Sequence, residues 1–118
     1  MKTLIIGASP NPERYSYKAA ISLLQNGHDL VLAGSRQGFI GKIPIQHLED
    51  ITDTIDTITL YINPKIQHVI ADKMLSLKPR RIIFNPGTEN PDLMNKAAVS
   101  GIEVLEACTL VLLATKSY

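Results

Sequence analysis

The stretch that limits this chain most is residues 2–17, KTLIIGASPNPERYSY. Thr3, Leu4, Ile5 and Ile6 are apolar or β-branched and run straight into Gly7-Ala8-Ser9. A short apolar run closed by glycine and then proline fits a strand buried on both faces. Gly7 and the small Ala8 let a second molecule come close to the backbone. A helical pattern begins near Ser16, which the spacing makes the N-cap of the first helix. That helix aims its free N–H groups and the positive end of its dipole at the turn. Strand, small-residue turn and helix N-terminus together predict a place to hold a phosphate.

The rest of the chain repeats the same rhythm. A helix is expected over 17–26, with Ala20, Ile21, Leu23 and Leu24 on its apolar face and Gly27 as its stop. A strand over 29–33 leads into a polar loop bounded by Gly34 and Gly38. Gly41-Lys42-Ile43-Pro44 reads as a turn or short edge strand, and 47–56 as the place of a short helix. A β-branched run predicts a strand over 57–62. Asn63-Pro64 then supplies a cap and a first helical residue, and the apolar stripe Ile66, Val69, Ile70, Met74 and Leu77 carries that helix to Pro79. A strand over 81–84 and a turn-rich loop over 85–89 precede a helix opened by Asn90-Pro91, with Leu93, Met94, Ala97 and Ala98 buried. Gly101 closes it, a strand follows over 102–105, and 109–114 packs as a last short helix or turn.

Strands alternating with helices predict a single α/β domain over 1–118. The expected architecture is a Rossmann-like, doubly wound sheet of about five parallel strands with helices on both faces. A ligand of such a sheet sits outside the carboxyl ends of the strands, where strand order reverses. The loops at that edge hold nearly all the unusual sequence. A formal charge of +1 excludes a broad basic field for a nucleic-acid backbone. No apolar run is long enough to cross a bilayer, so no membrane partner is expected. Cys108 is the sole cysteine, which rules out an internal disulfide and fits a reducing, cytoplasmic setting. With the first strand beginning at Lys2, no secretory leader is expected.

The first loop lacks both common nucleotide fingerprints. Ser9 and Pro12 occupy the second and third glycine positions of G-x-G-x-x-G, and no G-K-[ST] follows. Cations near the ligand edge are Arg14, Lys18, Arg36 and Lys42, and a ligand with several phosphates would need two or three of them. The histidines at 28, 47 and 68 are scattered and have no metal-ligand spacing. No Ser-His-Asp order or paired carboxylates can be assembled. Cys108 follows the last strand, where a thiol is either a small buried group or, beside cations, a reactive one.

Taken together, these loops resemble those of the small stand-alone CoA-binding domain proteins, similar to the N-terminal domain of the succinyl-CoA synthetase alpha subunit. The residues that carry the resemblance are Gly7-Ala8-Ser9 with Pro12, Arg14, Ser16, Tyr17 and Lys18, then Asn85-Pro86-Gly87 with Glu89-Asn90, then Cys108. It covers residues 2–113. The resemblance implies that backbone N–H groups of Gly7, Ala8 and Ser9 cradle the CoA phosphates, with Arg14, Ser16 and Lys18 beside them. It implies that Ser35 and Arg36 lie at the adenosine end, that Tyr61, Ile62, Asn63 and Pro64 line the adenine and pantetheine side, and that Asn85, Pro86 and Gly87 border the pantetheine arm. Family members carry an Asn-Pro or Pro-Gly-Lys type of sequence after the second strand. This chain has Gly34-Ser35-Arg36-Gln37-Gly38 instead, so Arg36 stands in for the usual cation at the 3′-phosphate.

The first expectation is therefore a binding module for coenzyme A or an acyl-CoA, without catalytic machinery of its own. The alternative is an NADP-binding oxidoreductase or redox-sensing domain using the same crevice. An acid after the second strand would hold the ribose of NAD, and Ala33-Gly34-Ser35-Arg36 contains none, whereas Arg36 suits a 2′-phosphate. A small nucleotide is the expected ligand, and a protein partner or a second copy of the chain stays open.

Overall fold

The computed structural model describes residues 2–118. β1 (Lys2–Ile6) is buried from Thr3 onward because parallel neighbours flank it on both sides. β2 (Asp29–Ala33) pairs with it through Lys2 and Asp29 up to Ile6 and Ala33. β5 (Thr57–Leu60) pairs on the other side, from Thr3 and Thr57 to Ile6 and Leu60. Strand order thus reverses at β1, which makes the gap between β1 and β5 the switch point. β6 (Arg81–Phe84) and β7 (Glu103–Glu106) continue the parallel ladder beyond β5.

Among the described residues the sheet has seven strands, with β3 (Phe39–Ile40) and β4 (Ile43–Gln46) in the order β3-β4-β2-β1-β5-β6-β7, where the sequence led us to expect about five. The additions are β3 and β4, an antiparallel hairpin whose second arm lies parallel to β2. Two and four residues are too few to display a period of two, and Pro44 masks the pattern further. β4 tolerates the proline because its pairing with β2 begins only at Ile45, so Pro44 faces the short β3 alone. The expected strand over 57–62 ends at Leu60, because Tyr61 and Ile62 form the loop into the next helix. In the 47–56 stretch a single 3-10 turn, Leu48–Asp50, stands where a short helix is expected.

Helices cover both faces. α1 (Tyr15–Gln25) and α4 (Thr109–Ala114) lie over Ile5, Leu32, Ile40 and Ile45. α2 (Pro64–Ser76) and α3 (Pro91–Val99) lie over Leu4, Ile6, Ile58 and Phe84. The crossing segment with Ile51 and Ile55 shares that second core. Three local expectations change. Ser16 is not a cap: Arg14 holds the N-cap position without a side-chain bond, and Ser16 sits buried inside the first turn. In α2 the Asn63 side chain caps the Ile66 amide and fixes the helical phase so that Gln67, Ala71 and Met74 face the core. Val69, from the expected stripe, is then 84% exposed. In α3, Leu93 and Ala97 are buried while Ala98 faces outward. Among the described residues no helix is long and apolar enough to cross a membrane.

Candidate functional site

The carboxyl ends of β2, β1, β5 and β6 open into one cleft of about 800 Å³. Its floor is Ile6, Gly7, Ala8 and Ala33. Gly7 has φ +95, and a Cβ built there would lie 2.9 Å from the backbone of Tyr61. Gly34 is equally confined, since a Cβ there would lie 2.3 Å from the Ala8 carbonyl oxygen. The glycines therefore bring three loops together before any ligand arrives.

The amides of Gly7 and Ala8 are already committed. Both donate to the Ala33 carbonyl at 2.9 Å. Donors left for an anion include the Ser9 amide and those at the start of α1, because the first bond within that helix runs from the Lys18 amide to the Arg14 carbonyl at 3.1 Å. Tyr15 and Ser16 precede it and line the cleft with Ser9, Asn11 and Arg14. Ser9 Oγ and Asn11 Oδ1 accept from the Asn11 and Glu13 amides and hold this loop in shape. Arg36 and Ser35 enter from the loop after β2. Among the described residues neither Arg14 nor Arg36 is in an ion pair, and no lining residue is acidic. The positive ends of two arginines and one helix dipole thus meet in a cleft without a counter-charge.

The lining also carries the apolar side chains of Leu48, Ile62, Ile66 and Ile70, with Asn63 at the start of α2. Sequence reasoning missed Leu48, Ile66 and Ile70 as site residues. The signal of Ile66 and Ile70 was present in the α2 stripe but read as core, whereas Ile66 is 48% exposed at the cleft wall; Leu48, in the 3-10 turn, gave none. The far side is Pro86, Gly87 and Thr88 after β6. There the Gly87 amide donates to Glu89 Oε1 at 2.8 Å.

The structure brings Gly7, Ala8, Ser9, Arg14, Ser16, Ser35, Arg36, Ile62, Asn63, Pro86 and Gly87 together on the cleft. Lys18, Pro64, Asn85 and Cys108 stand outside its lining. The Lys18 ammonium lies 5.4 Å from the centre of the Tyr15 ring. Pro64 is the first residue of α2. Asn85 is buried as a strut: its Nδ2 donates to Thr59 Oγ1 at 2.6 Å and to the Leu60 carbonyl at 2.9 Å, and its Oδ1 accepts from the Thr109 amide at 2.8 Å. Cys108 is half-buried at the N-cap of α4.

Tyr61 also lines the cleft, yet its hydroxyl is buried without a hydrogen-bond partner. The nearest hydroxyls, on Thr59 and Thr109, are bonded to each other at 2.8 Å. Burial pushes the Tyr61 phenol up to about 12, a rise that the adjacent threonines only partly oppose. His28 packs edge-on against Tyr118, with ring centres 4.8 Å apart, and His47 and His68 are exposed. Among the described residues no group of histidine, cysteine and carboxylate side chains is arranged to hold a metal.

Residues 1–114 match the family model described as a CoA binding domain. The fold has close counterparts among solved structures. One, titled only as an uncharacterized protein, shares 42% identity and a TM-score of 0.92, covering 99% of this chain and 97% of that one. A Thermus thermophilus protein, cell-free ID.343, has 18% identity and a TM-score of 0.86 over 99% of this chain and 90% of its own. The redesigned protein Prb, described as PH1109 redesigned for binding, has 20% identity and a TM-score of 0.86 over 98% of this chain and 82% of its own. At such identities the last two show the fold alone. No curated protein matches the chain.

Proposed function

The chain belongs to the CoA-binding domain family, and from that premise we propose that it binds coenzyme A or an acyl-CoA along the cleft as a single-domain binding module. The observation that carries this reading is the pairing of Arg14 and Arg36 with the start of α1 in a cleft lined by no acid. CoA brings about four negative charges, which such a site offsets. In this reading Arg36 and Ser35 take the phosphorylated ribose, and the α1 amides with Arg14 take the diphosphate. The apolar side chains of Leu48, Ile66 and Ile70 take the adenine, and the arm runs past Ile62 toward Pro86 and Gly87. The backbone of Gly7 and Ala8 contributes close approach rather than donors, since both amides serve Ala33. Acyl chemistry is not part of this reading, because it needs an activated nucleophile with a base in reach. His28 is no candidate base for Cys108, since it lies against Tyr118, and the histidine left to test is the exposed His47, next to Leu48 of the cleft, by His47→Ala alongside Cys108→Ser. A lone thiol and this fold suit a cytoplasmic protein.

The test is a thermal-shift panel of CoA, acetyl-CoA, dephospho-CoA, NAD and NADP, followed by calorimetry on whatever raises the midpoint. CoA and acetyl-CoA are expected to stabilise most, with NAD inert. Arg36 in the loop after β2 favours NADP as the second reading, and a larger shift with NADP than with CoA would install it. Free thiol followed in the presence of acetyl-CoA should rise no faster than in buffer. Turnover that disappears in Cys108→Ser would replace the binding module with an enzyme.

A further inference from the structure

Gln67 stands in the first turn of α2 with 0% of its surface exposed, on a face otherwise made of Ala71 and Met74. A carboxamide in a core is unfavourable unless each polar atom finds a partner. Here its Nε2 donates to the Ile62 carbonyl at 2.9 Å and to the Thr88 carbonyl at 2.7 Å, and its Oε1 accepts from Asn90 Nδ2 at 3.1 Å. Ile62 belongs to the loop after β5 and Thr88 to the loop after β6, and both line the cleft. Asn90 is itself fixed, since its Oδ1 caps the Leu93 amide at 3.3 Å. One side chain therefore spans two loops that no ladder hydrogen bond joins at this height. The opposite wall is built differently: Ser35, Arg36 and Gln37 are exposed, and the backbone anchors of their loop are at its ends, Gly34 to the Gln46 carbonyl and Gly38 from the Ile45 amide.

We propose that Gln67 is a positioning residue that sets the width of the cleft between the β5 and β6 loops, and thereby how firmly the part of CoA beyond its phosphates is held. This rests on the CoA reading above. An apolar side chain of the same length would fill the core equally well but leave the Ile62 and Thr88 carbonyls unpaired, so the two loops would separate until water reached them. The arm should lose its wall while the phosphate end, built on Arg14, Arg36 and the α1 amides, stays as it is.

The experiment compares CoA with adenosine 3′,5′-bisphosphate, which lacks the arm, by calorimetry on the wild type, Gln67→Met and Gln67→Glu. Gln67→Met should weaken CoA about tenfold or more and the bisphosphate by less than about threefold. Gln67→Glu loses both donors when ionised and regains one when protonated. Its CoA affinity relative to wild type should therefore improve as pH falls from about 8 to 5. Equal losses for both ligands in Gln67→Met, or no loss for either, overturn the proposal. Should Gln67→Met not fold, a Gln67→Glu to wild-type ratio that is flat across that pH range overturns it by itself. A wild type that binds neither ligand overturns the CoA reading, which is a separate outcome from a wild type that binds both and a variant that loses both alike.

Discussion

Gly7 and Tyr61 touch through their backbones: a Cβ on Gly7 would lie 2.9 Å from both the carbonyl carbon and the carbonyl oxygen of Tyr61. The contact joins the loop after β1 to the loop after β5, across the switch point of the sheet. Gly7 also holds φ +95, a region that a side chain makes costly. Gly7→Ala is therefore expected to lower the unfolding free energy by about 3 kcal/mol or more, read by urea denaturation. A larger residue such as valine would report on folding rather than on ligand approach. A loss below about 1 kcal/mol would mean that the two loops move apart freely, and the prebuilt cleft would go with it.

Arg36 is exposed, lines the cleft and forms no ion pair among the described residues, and the proposed CoA reading sets it against the terminal phosphate of the adenosine end. Arg36→Ala should leave thermal stability unchanged and weaken CoA about tenfold, the size of one charge-assisted hydrogen bond of about 1.5–3 kcal/mol. Dephospho-CoA, which lacks that phosphate, should lose much less. Equal weakening of the two ligands would move the Arg36 contact to the diphosphate.

The contrast between the two walls explains what was readable in the sequence. β1, its glycine turn and the loops after β2 and β6 announce themselves through apolar runs ended by Gly or Pro, so the switch point followed from pattern, while the candidate roles of Ser35, Arg36, Ile62, Asn63, Pro86 and Gly87 came from the family resemblance. Gln67 gave no such signal. A polar residue within the stripe of α2 reads as the solvent face, and only the three-dimensional placement of two loop carbonyls explains why it turns inward. Ile66 erred the other way: its apolar side chain read as core, while the Asn63 cap sets a phase that sends it to the cleft wall. The glycine turn had the right place and a different role. Its amides look free in the sequence, but parallel pairing to β2 gives them the Ala33 carbonyl. Of the hairpin of β3 and β4 only the turn and short strand at 41–44 were readable, because the pairing of its arms and its register on β2 show in no period of their own.

Asn85 ties three elements at once, the end of β5 through Thr59 and Leu60, the end of β6 on which it sits, and the first amide of α4 at Thr109. Truncation leaves several buried polar groups without partners. Asn85→Ala should cost about 3 kcal/mol by urea denaturation. It should also speed amide hydrogen exchange at Thr109 more than at Leu4 in the sheet centre. Uniform acceleration at both positions would show that Asn85 supports the whole sheet rather than the docking of α4.

Asp56 and Arg80 form an ion pair at the opposite, amino-terminal edge of the sheet. The Arg80 guanidinium bonds the Asp56 carboxylate at 2.9 Å and, with Thr57, holds its pKa below the usual carboxylate value. A depressed folded pKa means stability that is present above the unfolded value of 3.8 and is lost as pH falls through the folded one. Asp56→Asn should thus be less stable than wild type at neutral pH, with the gap closing in acid. Since Arg80 is half-exposed, the gap will be small and should shrink in salt. A gap that persists unchanged in acid would assign the effect to the Thr57 hydroxyl contact.

Tyr61 titrates at the other extreme. Its hydroxyl is buried with no partner, and burial lifts the phenol from 10.0 to about 12. Two consequences have opposite pH ranges. At neutral pH, Tyr61→Phe removes an unpaired buried hydroxyl and keeps the ring, so stability should hold or rise by up to about 1 kcal/mol. In alkali, the unfolded chain releases the phenolic proton near its ordinary value while the folded chain retains it to about 12. The folded state then binds more protons than the unfolded one, so this group makes stability fall as pH rises through that window, by at most about 1.4 kcal/mol per pH unit. Phenylalanine lacks the proton and the slope. Lysines and the other tyrosines titrate in the same range, so the informative quantity is the difference between Tyr61→Phe and wild type in urea denaturation at matched pH. That difference should widen in favour of the variant between about pH 10 and 12 and level off above. Parallel curves would mean that the Tyr61 hydroxyl reaches water or a partner in solution, and the buried cluster of Thr59, Thr109 and Tyr61 would then be open to the cleft.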